Sequence, residues 1–157
     1  MLYEDIPKVD VWFKLLIGGL VVLFVVIGIV LLFEGLEDAL ISLGVAVFYA
    51  LLFKLIMPQR FQIYSDRVRI VLGGPFAWNI PLQTIKEAHS VPGWKAFGYN
   101  GVRFATSSRG VVEITRRKGC NVVISPSNKE FFLEQLNKAL SFQQQQATDG
   151  WTLPKSN

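Results

Sequence analysis

Apolar residues are massed in two runs near the start of this chain, Leu15 to Phe33 and Ala39 to Met57, and beyond them thin out to an alternating pattern. A helix of 19 residues rises about 28 Å, close to the roughly 30 Å of a bilayer's hydrocarbon layer, so each run predicts a membrane-spanning helix. The five residues Glu34, Gly35, Leu36, Glu37 and Asp38 between the runs make the two helices neighbours. The expectation is a transmembrane hairpin over residues 11–58, preceded by a short N-terminal segment, 1–10. In the second run Ser42, Ala46 and Ala50 recur every fourth residue, a spacing of small side chains that lets helices approach closely in lipid. The other arm of the hairpin is the simplest partner for that stripe.

After Met57-Pro58 the hydrophobic period falls to two. Phe61 and Ile63, then Val68, Ile70 and Leu72, predict two strands joined at Ser65-Asp66. Phe76, Trp78 and Ile80 form a third run, and Leu82, Ile85 and Ala88 a short turn or a fourth strand. Pro92, Gly93 and Gly98 make a loop of Ser90 to Gly98. Asn100-Gly101, Ser107 to Gly110 and Lys118-Gly119 then punctuate strands at Val102 to Thr106, Val111 to Arg116 and Asn121 to Ser125. Six or seven short strands in succession predict an antiparallel barrel or sandwich. Ser127, Asn128, Lys129 and Glu130 form a capping-box sequence, followed by Phe132, Leu133, Leu136 and Leu140 on one helical face that would close one end of the sheet. Gln143 to Asn157 has no periodicity and is expected to be a disordered tail.

The ending of this pattern carries a resemblance. Arg109-Gly110-Val111-Val112-Glu113-Ile114, then Gly119, Val122-Val123-Ile124-Ser125-Pro126, and a helix with Glu130, Phe132, Leu133 and Leu136 resembles the last strands and capping helix of the bacterial pleckstrin-homology-like (PH-like) domains. The likeness covers roughly residues 60–142 and implies a fold class: a membrane α-hairpin, then an all-β PH-like domain capped by one C-terminal helix. Eukaryotic relatives bind phosphoinositides or peptides, so the resemblance implies a binding module. Their basic cradle has no counterpart in the short Ser65-Asp66 turn.

Charge sets the expected orientation. The first 57 residues carry 3 Lys plus Arg and 6 Asp plus Glu, net −3, and the remaining hundred carry 13 and 6, net +7, giving the chain's +4. Lys8, Lys14, Lys54 and Arg60 flank the outer ends of the hairpin, whereas its turn holds only acids. Bases stay on the cytoplasmic side during insertion, so a multi-pass plasma-membrane protein with both termini cytoplasmic is expected. Glu4, Asp5 and Asp10, with no small-x-small site after the first run, argue against a cleaved signal. A single cysteine, Cys120, fits a reducing compartment.

Catalytic chemistry is hard to assemble from this inventory. One histidine, His89, with no partner in its own element, and one cysteine supply neither a nucleophile–base pair nor the about four ligands of a structural zinc site. No catalytic residue, cofactor or metal is expected, and no nucleic acid, since no recognised motif for it occurs. Two features remain as a candidate contact face for anionic lipid or a protein. The first is Arg116, Arg117 and Lys118, three cations at a hairpin tip. The second is the aromatic loop with Trp94, Lys95 and Phe97. The function predicted is a membrane-anchored, non-catalytic binding module. The alternative is a scaffold of a larger membrane complex acting through Ser42, Ala46 and Ala50.

Overall fold

The computed structural model describes residues 1–93 and 101–149. Both apolar runs are helices of 21 residues, α1 (Val11–Leu31) and α2 (Leu36–Ile56), each about 32 Å long and apolar enough to cross a membrane. They pack on each other and on little else: Gly28 is the buried residue of α1, and Ala39, Ser42 and Ala46 are those of α2. Leu15, Val22, Val26, Val30, Leu40, Val47 and Leu51 are exposed. A core helix of a water-soluble protein would hide those side chains. The hairpin therefore presents an apolar surface on all sides, and both helices are long enough to cross a membrane. Glu37 and Asp38 occupy the first turn of α2 and Lys54 its last, each sign favourable to the helix dipole.

Before the hairpin comes a strand the hydrophobic pattern did not reveal. β1 (Tyr3–Asp5) lies antiparallel to β2 (Pro58–Ile63), with Tyr3 opposite Ile63 and Asp5 opposite Phe61. Segment 1–10 is thus part of the domain and not a free leader. At the other end of the hairpin, Met57 leaves the helix in an extended conformation, as the residue before a proline must, and Pro58 opens β2 directly.

The domain is two four-stranded sheets around one core. The first runs β1-β2-β3-β4, with β3 (Arg67–Leu72) and β4 (Ala77–Pro81), all antiparallel. The second runs β5-β7-β8-β6, with β5 (Ile85–Val91), β6 (Val102–Phe104), β7 (Val111–Arg116) and β8 (Val122–Ile124). A turn of 3₁₀ helix, Leu82–Thr84, joins the sheets, so Ile85 to Val91 is a full strand and reaches into the stretch expected to be loop. Phe61, Ile63, Val68 and Ile70 from one sheet meet Val112, Ile114, Val122 and Ile124 from the other, all fully buried. Phe132 and Leu136 of α3 (Lys129–Asp149) close the core, the predicted apolar face of that helix.

Of the two expected arrangements, barrel or sandwich, the sheets form the second and do not close into a barrel. Some details differ from the sequence reading. The pairing is not wholly antiparallel, because β6 pairs with β8 in parallel. Residues Ser107 to Gly110 do not fold β6 back onto β7 as a hairpin; their polar groups are engaged elsewhere, as described below. The capping box is also replaced. Asn128 caps α3, its Oδ1 accepting from Phe131 N at 3.2 Å, while Ser127 Oγ donates to Ile6 O. The Ser127 N–H that a box would give to Glu130 goes instead to Ile6 O at 3.0 Å, and the Asn128 N–H goes to Asp5 Oδ2 at 3.1 Å, a carboxylate supplied by β1. Finally, α3 continues through Gln143 to Asp149, because glutamine is a good helix former and a helix already docked extends at low cost.

Candidate functional site

The residues just before α1 are bonded to the edge of the second sheet. Lys8 N donates to Ser125 O at 2.8 Å, and Lys8 O accepts from Thr106 Oγ1 at 2.7 Å and Ser125 Oγ at 3.2 Å. Asp10 N donates to Thr106 O. The Asp10 carboxylate accepts from Ser107 Oγ at 2.7 Å, Ser108 N at 2.7 Å, Ser108 Oγ at 2.9 Å and Trp12 Nε1 at 3.2 Å. Donation by the Ser108 amide, then by the Ser107 hydroxyl, holds the Asp10 carboxyl at about 2, well below the usual carboxylate range. Both arms of the hairpin are therefore fixed to the domain: α1 through Asp10, and α2 through the immediate passage into β2. The turn after β3 strengthens the second joint, since Gly73 lies so close to Lys54 that a Cβ there would sit 1.7 Å from the Lys54 carbonyl oxygen.

Between the base of the hairpin and the domain lies a cavity of about 380 Å³. Trp12, Leu16, Phe53 and Met57 form its helical walls, and Arg103 and Phe104 of β6 its domain wall. Phe104 also meets the ring of Trp78 at 6.1 Å, and Trp78 and Phe76 are themselves exposed at this end of β4. Aromatic side chains thus gather at the level where the helices emerge, the position of an interfacial belt. Sequence reasoning missed this region. Its one linear signal is Trp12 beside Asp10 at the mouth of an apolar run; Arg103 and Phe104 are brought there only by the fold.

The three tip cations lie elsewhere. Val111 begins β7 next to the Ser107–Gly110 segment that binds Asp10, and Arg116 ends it, about 17 Å farther from the hairpin at strand rise. Arg116 is partly buried: its Nε donates to Thr84 Oγ1 at 3.2 Å, its N to Asn121 Oδ1 at 2.9 Å, and its guanidinium lies over Gly119. Gly119 has φ +94°, a left-handed turn position that favours glycine. Arg117 and Lys118 are exposed. Trp94, Lys95 and Phe97 lie outside the described residues. Their flanks are Gly93, past the hairpin-proximal end of β5, and Gly101, beside the distal end of β6.

In the hairpin, Ser42 and Ala46 face α1, Ser42 Oγ donating to Phe24 O at 2.9 Å, but Ala50 is exposed. Two steps of four residues turn a helix about 80° past its starting face, so the stripe continues instead along Ala39, Ser42 and Ala46. Gly28 completes it from α1, so close to α2 that a Cβ there would lie 3.0 Å from Leu43 Cγ and 3.4 Å from Ala39 O.

His89, without a partner in its own element, has a carboxylate across the sheet: its Nε2 is 3.5 Å from Glu113 Oε2, in register on β5 and β7. The imidazole is 48% exposed, an open sheet face and not a cleft. Cys120 is a free, exposed thiol. No cluster of three or more His, Cys, Asp or Glu suited to a metal ion occurs among the described residues.

Comparison with curated proteins and with solved structures finds no match. The family model described as "Bacterial PH domain" does match, over residues 59–140. That interval begins within β2 and ends in α3, taking in both sheets apart from β1 and leaving out the hairpin. By a match across more than half its length, the chain belongs to the bacterial PH domain family.

Proposed function

We propose that this protein is a membrane-held binding module whose PH-like domain is set at a fixed attitude on a two-helix hairpin, with both termini cytoplasmic. The observation that carries the reading is the double joint. Asp10 ties α1 to Ser107 and Ser108, and Pro58 follows α2 with no spacer, so hairpin and domain move as one body. A domain so mounted directs Arg117 and Lys118 away from its own bilayer. Their partner is then an acidic protein surface and not the head groups around the hairpin, with Trp94, Lys95 and Phe97 as the second part of the contact. Confinement to a membrane raises the local concentration of such a weak contact.

Crosslinking in native membranes followed by mass spectrometry tests this reading. The pair R117E/K118E is expected to abolish partner crosslinks while Ala50→Leu, on the outward face of α2, leaves them in place. The opposite result would establish the scaffold reading, in which the helices bind. That second reading draws on the exposed Gly18, Gly19, Gly44 and Ala50; a Cβ added at any of the three glycines would meet nothing within 4 Å. Labelling of a cysteine placed at Gly35 from the cell exterior only is the expected topology; labelling from the cytosol would overturn it.

A further inference from the structure

We propose that the cavity at the base of the hairpin is a binding site for one anionic phospholipid from the leaflet on the domain's side. This rests on the membrane-held reading above and adds a ligand, a place and a cation to it. The cavity differs in kind from a pocket inside a PH-like domain, because more than half of its described lining belongs to the hairpin: Trp12, Phe13 and Leu16 from the first turns of α1, and Phe53, Ile56 and Met57 from the end of α2. Helices of 21 residues that span the hydrocarbon layer place these turns where acyl chains meet head groups.

The remaining wall is the end of β6, where Arg103 stands beside Phe104. Lys14 and Lys54, exposed on the same helical turns, add positive charge at that depth. The carboxylate closest to the mouth along the chain, Asp10, is already taken up by Ser107, Ser108 and Trp12, so it does not cancel that field outright. An apolar cleft that opens at the head-group level and is rimmed by a guanidinium matches a molecule with a fatty tail and a phosphate next to each other. Its volume of about 380 Å³ falls within the roughly 300–1,000 Å³ usual for bound small molecules, enough for the upper part of an acyl chain. Arginine's planar donor fork suits a phosphodiester, and the tail is expected to lie along Leu16 and Phe53 with the phosphate on Arg103. Such a lipid would fill the gap between hairpin and domain and stiffen the joint.

Native mass spectrometry of the full-length chain released from detergent tests the site, with phosphatidylglycerol or phosphatidylcholine added at equal mole fraction. One retained phosphatidylglycerol, favoured about fivefold over phosphatidylcholine, is expected from the contact with Arg103, the cation in the described lining of the cleft. Arg103→Gln is expected to bring that preference to about one. Leu16→Trp, which fills the cleft from an exposed helix position, is expected to lower retention of both lipids, and R117E/K118E to leave it unchanged. Equal retention of the two lipids by the native chain would overturn the proposal, as would a preference that survives Arg103→Gln, or retention unaffected by Leu16→Trp. Alkaline carbonate extraction separates this from the parent reading. A chain extracted as soluble protein refutes the membrane-held reading itself, whereas one that stays in the membrane without lipid preference refutes only the site.

Discussion

Replacing Asp10 by alanine removes an acceptor of four hydrogen bonds, from Ser107 Oγ, Ser108 N, Ser108 Oγ and Trp12 Nε1. A hydrogen bond to a charged group contributes about 1.5–3 kcal/mol, but Asp10 is only partly buried and water re-solvates the freed donors, so a total of about 2 kcal/mol is expected. For a domain of this size that corresponds to a fall in melting temperature of about 8–16 °C. The measurement is thermal unfolding of the full chain in detergent micelles, followed by near-ultraviolet circular dichroism. The sign of the pH dependence follows from the Asp10 carboxyl, which folding lowers from 3.8 to about 2. A depressed carboxyl stabilises the fold fully above its unfolded value and loses that contribution as pH falls through the folded one. The difference between native and Asp10→Ala proteins should therefore be constant from pH 7 to about 5 and shrink toward zero as pH approaches 2. A difference that stays constant down to pH 2.5 would refute the account, since uncharged contacts would then hold the joint.

Other perturbations probe the core, the second joint and the hairpin. Phe132→Ala leaves a hole among Phe61, Tyr3 and Leu136 and is expected to cost about 3–5 kcal/mol, read by the same melt; a loss under 1 kcal/mol would mean α3 is not part of the core. Gly73→Ala must push the turn after β3 away from the Lys54 carbonyl and is expected to cost about 2 kcal/mol or more, with faster hydrogen exchange at residues 72–76; unchanged exchange would remove that contact from the joint. Ser42→Ala removes one bond within the hairpin and should cost only about 0.6 kcal/mol, whereas Ala46→Leu overpacks a buried position by about 1–3 kcal/mol. Equal effects of the two would mean that α1 and α2 separate there.

What could be read in the sequence is what depends on neighbours in the chain. The two spans, the alternation of Phe61 and Ile63 with Val68 and Ile70, and the face holding Phe132 and Leu136 all follow from local periods of two or about 3.6. Hidden from it were contacts set by closure over long separations. β1 has three residues, too few for a period, and its partner β2 comes only after the whole hairpin. Asp5 acts as a remote cap on Asn128, and Asp10 seals residues 106–108; each looked like an ordinary charge on a leader segment. The parallel pairing of β6 with β8 was likewise hidden, because Ser107 to Gly110 carries the composition of a hairpin turn while its hydroxyls serve Asp10.

The pairing of β1 at the edge of the first sheet has a consequence for biogenesis. The ribosome releases Tyr3 long before Ile63, so the opening strand finds its mate only once the two apolar segments have emerged in between. The first sheet is complete only when both ends of the hairpin lie on one side: a chain whose start was held apart from residues 58–63 would leave β2 with a bare edge and α3 without the Asp5 carboxylate at its head.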